Sequence, residues 1–187
     1  MTPLVSNTLK SAGLWPLYEA QRRGETVDRT SLSPNIDLMA LGAFADAIRI
    51  RDVGHDVFVF ANRQATHEAV EVPTSLRGLA LMREVAVSRI TSPRGSRVRV
   101  DWGACSLQLA QVALGFGANE LVGPITNRRG LLISEDATKK VKGEGMVSMQ
   151  TLQIREIERV LGCAGKVPIF TADVLEQAAR EEEAVHG

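Results

Sequence analysis

Six side chains in one stretch of this chain have types that can do chemistry: Asp101, Trp102, Asn119, Glu120, Asn127 and Arg128. Trp102 can stack on a flat ring while Asp101 accepts hydrogen bonds from the ring's edge. Asn119 and Glu120 stand where the chain enters a strand, and polar residues on the rim of a barrel often bind substrate. Arg128 and Arg129, beside Gly130, offer guanidinium forks to a carboxylate or phosphate. Each group also has a plainer reading. Trp102 can fill core while Asp101 caps the helix after Gly103, Asn119 can satisfy turn amides, and an Arg-Arg-Gly turn is commonly solvated. None of the six is an evident nucleophile or base, so the set speaks for ligand binding before catalysis.

The elements that must position these residues are legible around them. RVRVD, residues 97–101, alternates polar and apolar positions as a half-buried strand does. Leu107, Leu109, Ala110, Val112, Ala113, Leu114 and Phe116 fall at helical spacing, and Gly117 suits the residue that ends a helix. Leu121 and Val122 then bury a second strand. This is one βα repeat of a barrel-like α/β fold.

Residues 1–13 read as irregular and Leu14 to Arg23 as a short helix. Ser33 or Asn35 is placed to cap a helix running through Val53 and closed by Gly54. VFVFA, residues 57–61, is a buried-strand run. Thr74 is placed to cap a helix carrying Leu76, Leu79, Ala80, Arg83, Ala86, Val87 and Ile90. Ser148 can cap a last long helix with Leu152, Ile157, Val160 and Leu161 inward. Val167–Thr171 reads as an extended segment, and Asp173 starts an acidic helix whose last residues, 180–187, are read as an irregular tail. The expectation is one α/β domain over 1–187, a partial (half) β/α barrel of about four βα-like units.

VAVSRITSPRGSRVRVDWGACSLQLAQVALGFGANELVG is similar to the C-terminal third of the radical S-adenosylmethionine enzymes of the futalosine route to menaquinone. Those are dehypoxanthine futalosine cyclase and aminofutalosine synthase, with deazaflavin synthase as a cousin. LMALGAFADAIRIRDVGHDVFVFANRQATHEA resembles that family's lead into its first barrel strand, and IREIERVLGCAGKVPIFTAD resembles its closing segment. The likeness spans residues 14–68 and 74–173. It implies a barrel ancestry and a link to that route. Where the family carries CxxxCxxC, whose thiolates hold a four-iron cluster, this chain has ATHEAVEVPTS; its two cysteines, Cys105 and Cys163, lie far apart. After Gly123 the family's acidic pair has become Thr126 and Arg128, which puts its substrate in doubt, and Glu71–Pro73 joins the first-strand region to a late helix. The chain reads as a cut-down relative without radical chemistry, and no cofactor is expected, S-adenosylmethionine included.

Other groups weigh less. His67, Glu68 and Glu71 have metal-ligand types, but three ligands so close in irregular chain rarely converge, so no metal is expected. Cys105 reads as a packed thiol, and the basic loop through Lys139, Lys140, Lys142 and Gly143 lacks the order of a P-loop.

The chain has 187 residues, 44% apolar and 24% charged, values of a globular domain and not of a disordered one. Zero formal charge argues against a dominant nucleic-acid or anionic-membrane surface. No apolar run is long enough to span a bilayer, the first residues lack a signal-peptide pattern, and two cysteines give no disulfide framework; a cytoplasmic location is the expectation. Because half a barrel leaves strand edges open, a homodimer is expected. The preferred function is a non-catalytic small-molecule-binding or accessory protein. The alternatives are an enzyme of cluster-independent mechanism with a pocket at the strand ends, and an interaction module docking onto a larger enzyme.

Overall fold

The computed structural model describes residues 1–61, 68–126, 132–133, 152–171 and 174. The fold is α/β. Its centre is a five-stranded sheet in which every pairing is parallel. The strands are β1 (Asp56–Phe60), β2 (Val70–Glu71), β3 (Val98–Asp101), β4 (Glu120–Val122) and β8 (Val167–Phe170), in the order β2-β3-β4-β1-β8. Consecutive strands of a barrel are neighbours; here β2, β3 and β4 obey that rule, whereas β1 lies between β4 and β8. Three short strands, β5 (Ile125–Thr126), β6 (Leu132–Ile133) and β7 (Leu152–Gln153), make a separate sheet of order β6-β5-β7 that the sequence pattern does not foretell.

Helices α1 (Pro3–Ser11) and α2 (Trp15–Arg22) open the chain. The expectation of an irregular start is corrected: Thr2 accepts from the Val5 N–H and Pro3 fits the first turn, so the segment has a helix start of its own. Helix α3 (Leu38–Val53) is capped by Asp37, which accepts from the Ala40 N–H at 2.8 Å, and not by Ser33 or Asn35. Helix α4 (Gly78–Thr91) begins after Arg77, later than a Thr74 cap would place it, which leaves Leu79 on the surface. The expected single helix after β3 is two, α5 (Trp102–Cys105) and α6 (Leu107–Leu114), broken at Ser106. Helix α7 (Ile154–Cys163) starts from a capping box between Gln153 and Glu156, while Leu152 belongs to β7. Ser148, Asp173 and the tail 180–187 lie outside the described residues.

Strand register sorts the sheet into two faces, since paired residues share a face and successive ones alternate. Val57, Val59, Val98, Val100 and Leu121 form one face. They join a core with Leu81, Met82 and Val85 of α4, Phe44 and Ile48 of α3, and Ala110 and Leu114 of α6. Among the described residues no helix is long and apolar enough to cross a membrane.

Candidate functional site

The second face of the sheet carries the charge. Register places Glu71, Arg99, Glu120, Phe58 and Ile169 in one row across β2, β3, β4, β1 and β8. Glu120 is 0% exposed, and one of its oxygens accepts from Arg99 Nε. Its other oxygen stands 3.6 Å from Arg97 Nη1, and Arg99 reaches across to Glu71 at 2.9 Å. The Arg97 guanidinium lies 3.6 Å from the centre of the Phe58 ring, and Arg99 lies 5.9 Å from that of Phe60. Two guanidiniums on aromatic faces, interleaved with carboxylates, can hold a polar planar group by stacking and paired hydrogen bonds. Burying such charges is costly unless each is paired, so the row is a specific arrangement and not incidental surface.

Asn119 is on the other face. It is 0% exposed, and its side-chain oxygen accepts from Arg89 Nη2 and from the Val98 N–H at 2.9 Å. Arg89, from α4, also donates to the Gly117 carbonyl at 2.7 Å and to the Ser96 carbonyl at 2.6 Å. One guanidinium thus ties a helix to the turns entering β3 and β4. Burial pushes the Arg89 pKa down to about 10; the Asp52 carboxylate opposes that shift and the Arg49 charge adds to it. Gly117, at φ +104°, leaves room for this side chain, since a Cβ there would lie 2.8 Å from Arg89 Cβ. Asn119 therefore locks the amino-terminal end of the strands from within the core.

Asp101 and Trp102 stand at the opposite, carboxyl-terminal end of β3. Asp101 caps α5 by accepting from the Ala104 N–H at 3.1 Å. Trp102 is 1% exposed, and its ring lies where a side chain on Gly123 would be, 2.3 Å from the nearest ring atom. Beside Asp101 and Cys105 is a void of only about 10 Å³, space for one water and no ligand. Cys105 is buried, and burial, with Asp101 second, raises its thiol pKa, the reverse of activation. Ser106, at φ +97° and ψ 153°, occupies backbone space that normally needs glycine.

Of the six residues singled out in the sequence, the structure puts Glu120 into a buried charged row and separates it from Asn119 by the thickness of the sheet. Asp101 and Trp102 sit at the far strand ends, and Asn127 and Arg128 lie outside the described residues, as does His67. Among the described residues, no three His, Cys, Asp or Glu side chains gather as metal ligands. The sequence reading does not single out Arg97, Arg99 or Phe58, although the RVRVD alternation sets both arginines on the face of Asp101, and it weighs Glu71 only as a metal ligand and not as a partner of Arg99. Arg89 was signalled only by being an arginine on an apolar helix. The fold and row define an α/β protein with a buried ion-pair ladder. The chain matches no known family model and no curated protein.

Proposed function

We propose that this chain is a non-catalytic small-molecule-binding or accessory protein, derived from a radical S-adenosylmethionine barrel that has lost its cluster site. The observation that carries this reading is the Glu71–Arg99–Glu120–Arg97 row with Phe58 and Phe60 on one sheet face. In a barrel-derived sheet that face is the inward one. The run β2-β3-β4, parallel and in chain order, supports the ancestry, because consecutive strands of a barrel are neighbours. A ladder whose acids and bases are committed to one another suits recognition of a polar, planar metabolite better than proton transfer. The ligand would enter that face; a homodimer, or a larger enzyme, is the partner that would complete it.

A second reading, docking onto a larger protein, is favoured by Val167 and Ile169, exposed apolar residues on β8 that share the charged face.

Native mass spectrometry of anaerobically purified protein tests both. A small-molecule adduct on the wild type that is lost in Arg99→Gln supports the binding role. An intact chain without adduct, recovered with a stoichiometric protein, supports docking instead. Iron with sulfide in the purified protein would overturn the loss of cluster chemistry.

A further inference from the structure

Sheets built from parallel strands are covered on both faces in α/β folds. Helices α3, α4 and α6 cover one face here. The charged face is closed only in its carboxyl-terminal half, where Phe60 and Val122 are buried. Its amino-terminal half is open along β1 and β8, with Val167 50% and Ile169 39% exposed. Register resolves that half into two rows. Phe58 and Ile169 stand in the row of Glu120. One row nearer the strand starts, Asp56 is level with Val167. Carrying the β1–β4 and β3–β4 ladders two residues back sets Ala118 and Arg97 in that row as well. Asp56 is exposed and Ala118 is buried.

Arg97 leaves its row. Its guanidinium lies against the Phe58 ring, two strands away from β3, and β4 between them presents only the methyl group of Ala118. Its carboxylate contact among the described residues is Glu120 at 3.6 Å, longer than a hydrogen bond, and the side chain is 31% exposed. The open patch thus has Arg97 and Ile169 in one row and Asp56 and Val167 in the other. A twofold axis lying across the strands, midway between the rows, exchanges them. It sets each Arg97 opposite the partner's Asp56 and each Ile169 opposite the partner's Val167, the reciprocal pairing of an isologous contact. An axis along the strands keeps the rows, and sets Arg97 against the partner's Arg97 or the partner's Ile169. The geometry points to a second copy of this chain as the occupant, packed face to face about the crossing axis, so that each subunit lends Asp56 to the other's Arg97; this rests on the reading of the face as one that a partner completes. The patch is narrow beside the roughly 800 Å² per partner of a standard interface, so the dimer is weak and concentration-dependent. A separate apolar groove of about 740 Å³, lined along α3 by Met39, Ala43 and Ile50, lies away from this face and serves as the control.

Sedimentation velocity of the intact chain over a range of concentrations tests the contact. The wild type is expected to pass from monomer to dimer as concentration rises. Asp56→Arg and Ile169→Glu, both on exposed side chains, should each weaken the dimer by about tenfold or more, because the twofold makes every substitution count twice. Met39→Glu, in the α3 groove, should leave it unchanged. Arg97→Glu alone should stay monomeric. Mixed in equal amounts with Asp56→Arg it should give a heterodimer, since both cross-pairs are then restored with their signs exchanged. Arg97→Glu sets a like charge beside buried Glu120, so its fold is checked first by circular dichroism; where it does not fold, Asp56→Arg and Ile169→Glu decide. A wild type that is monomeric at every concentration would overturn the inference, as would a dimer that those two variants leave intact or that Met39→Glu dissociates. Two folded variants that do not pair on mixing would overturn it as well. In native mass spectrometry, a monomer that still carries a small-molecule adduct ends this inference and leaves the binding reading standing, whereas a dimer without adduct does the reverse.

Discussion

Arg89 shows why a buried guanidinium is not interchangeable with another cation. It spends its three nitrogens on three separate acceptors, the Gly117 and Ser96 carbonyls and Asn119, in a pocket that lowers its pKa to about 10. An ammonium on a shorter reach keeps the charge and cannot span that fork, so it leaves at least one buried carbonyl without a donor. We expect Arg89→Lys to lower stability by about 2 kcal/mol in denaturant unfolding, with an unchanged m-value. Asn119→Ala made in that background should cost less than in the wild type, because the two side chains serve one hydrogen-bonded unit. Strict additivity of the pair would mean that Asn119 acts independently of Arg89. The same contacts explain why Asn119 resembles a rim residue in sequence and is a core residue in space. A polar side chain before a strand has the same letter whether it meets a ligand or an arginine arriving from a helix.

Much of the local architecture follows from patterns on the page. Asp101 as cap, Gly117 as a left-handed residue of the turn that follows α6, VFVFA as a buried strand and the break after Gly54 are all set by short-range physics, although α6 itself is capped two residues earlier, at Gly115. The partners are different: that RVRVD places Arg99 against Glu120 depends on β3 pairing with β4, a contact between residues far apart in sequence. The split between α5 and α6 is the other case. The apolar periodicity of 107–116 says helix, and nothing in it signals that Ser106 must adopt a conformation at φ +97° that strains an L-residue. Its hydroxyl accepts from the Leu109 N–H at 3.4 Å, a long cap that offsets little of the strain. Such backbone costs about 1–3 kcal/mol, against a few tenths for replacing a cap by glycine and roughly 0.5–1 kcal/mol of glycine's own entropy. Ser106→Gly should therefore stabilise the protein by about 1 kcal/mol, raising Tm by about 2–4 °C in thermal unfolding. A lower Tm would show that the cap outweighs the strain.

Association of the chain turns on what its sheet exposes, and the argument that open strand edges force a dimer meets a sheet whose edges are already guarded. On one side β2 is only Val70–Glu71, and Glu71 is engaged by Arg99. On the other, the Val167 N–H donates to the His55 carbonyl at 3.0 Å, turning the backbone of Val167 toward β1. In a parallel ladder the next residue then presents its backbone outward. That residue is Pro168, which has no N–H to offer an incoming strand. Lys166 just before it adds a charge, a common companion of protected edges. A dimer of this chain would therefore meet through faces, where Val167, Ile169 and the α3 groove are exposed, and not through exchanged or added strands. Pro168→Thr isolates the point, because it restores the outward N–H and keeps a residue suited to a strand. We expect the variant to show a mass that rises with concentration in light scattering, and amide exchange at residue 168 that slows as it associates. The wild type should show no such protection along β8 whatever its oligomeric state. If the variant matches the wild type in mass at every concentration, proline is not what guards this edge, and the shortness and twist of a four-residue strand must do so instead.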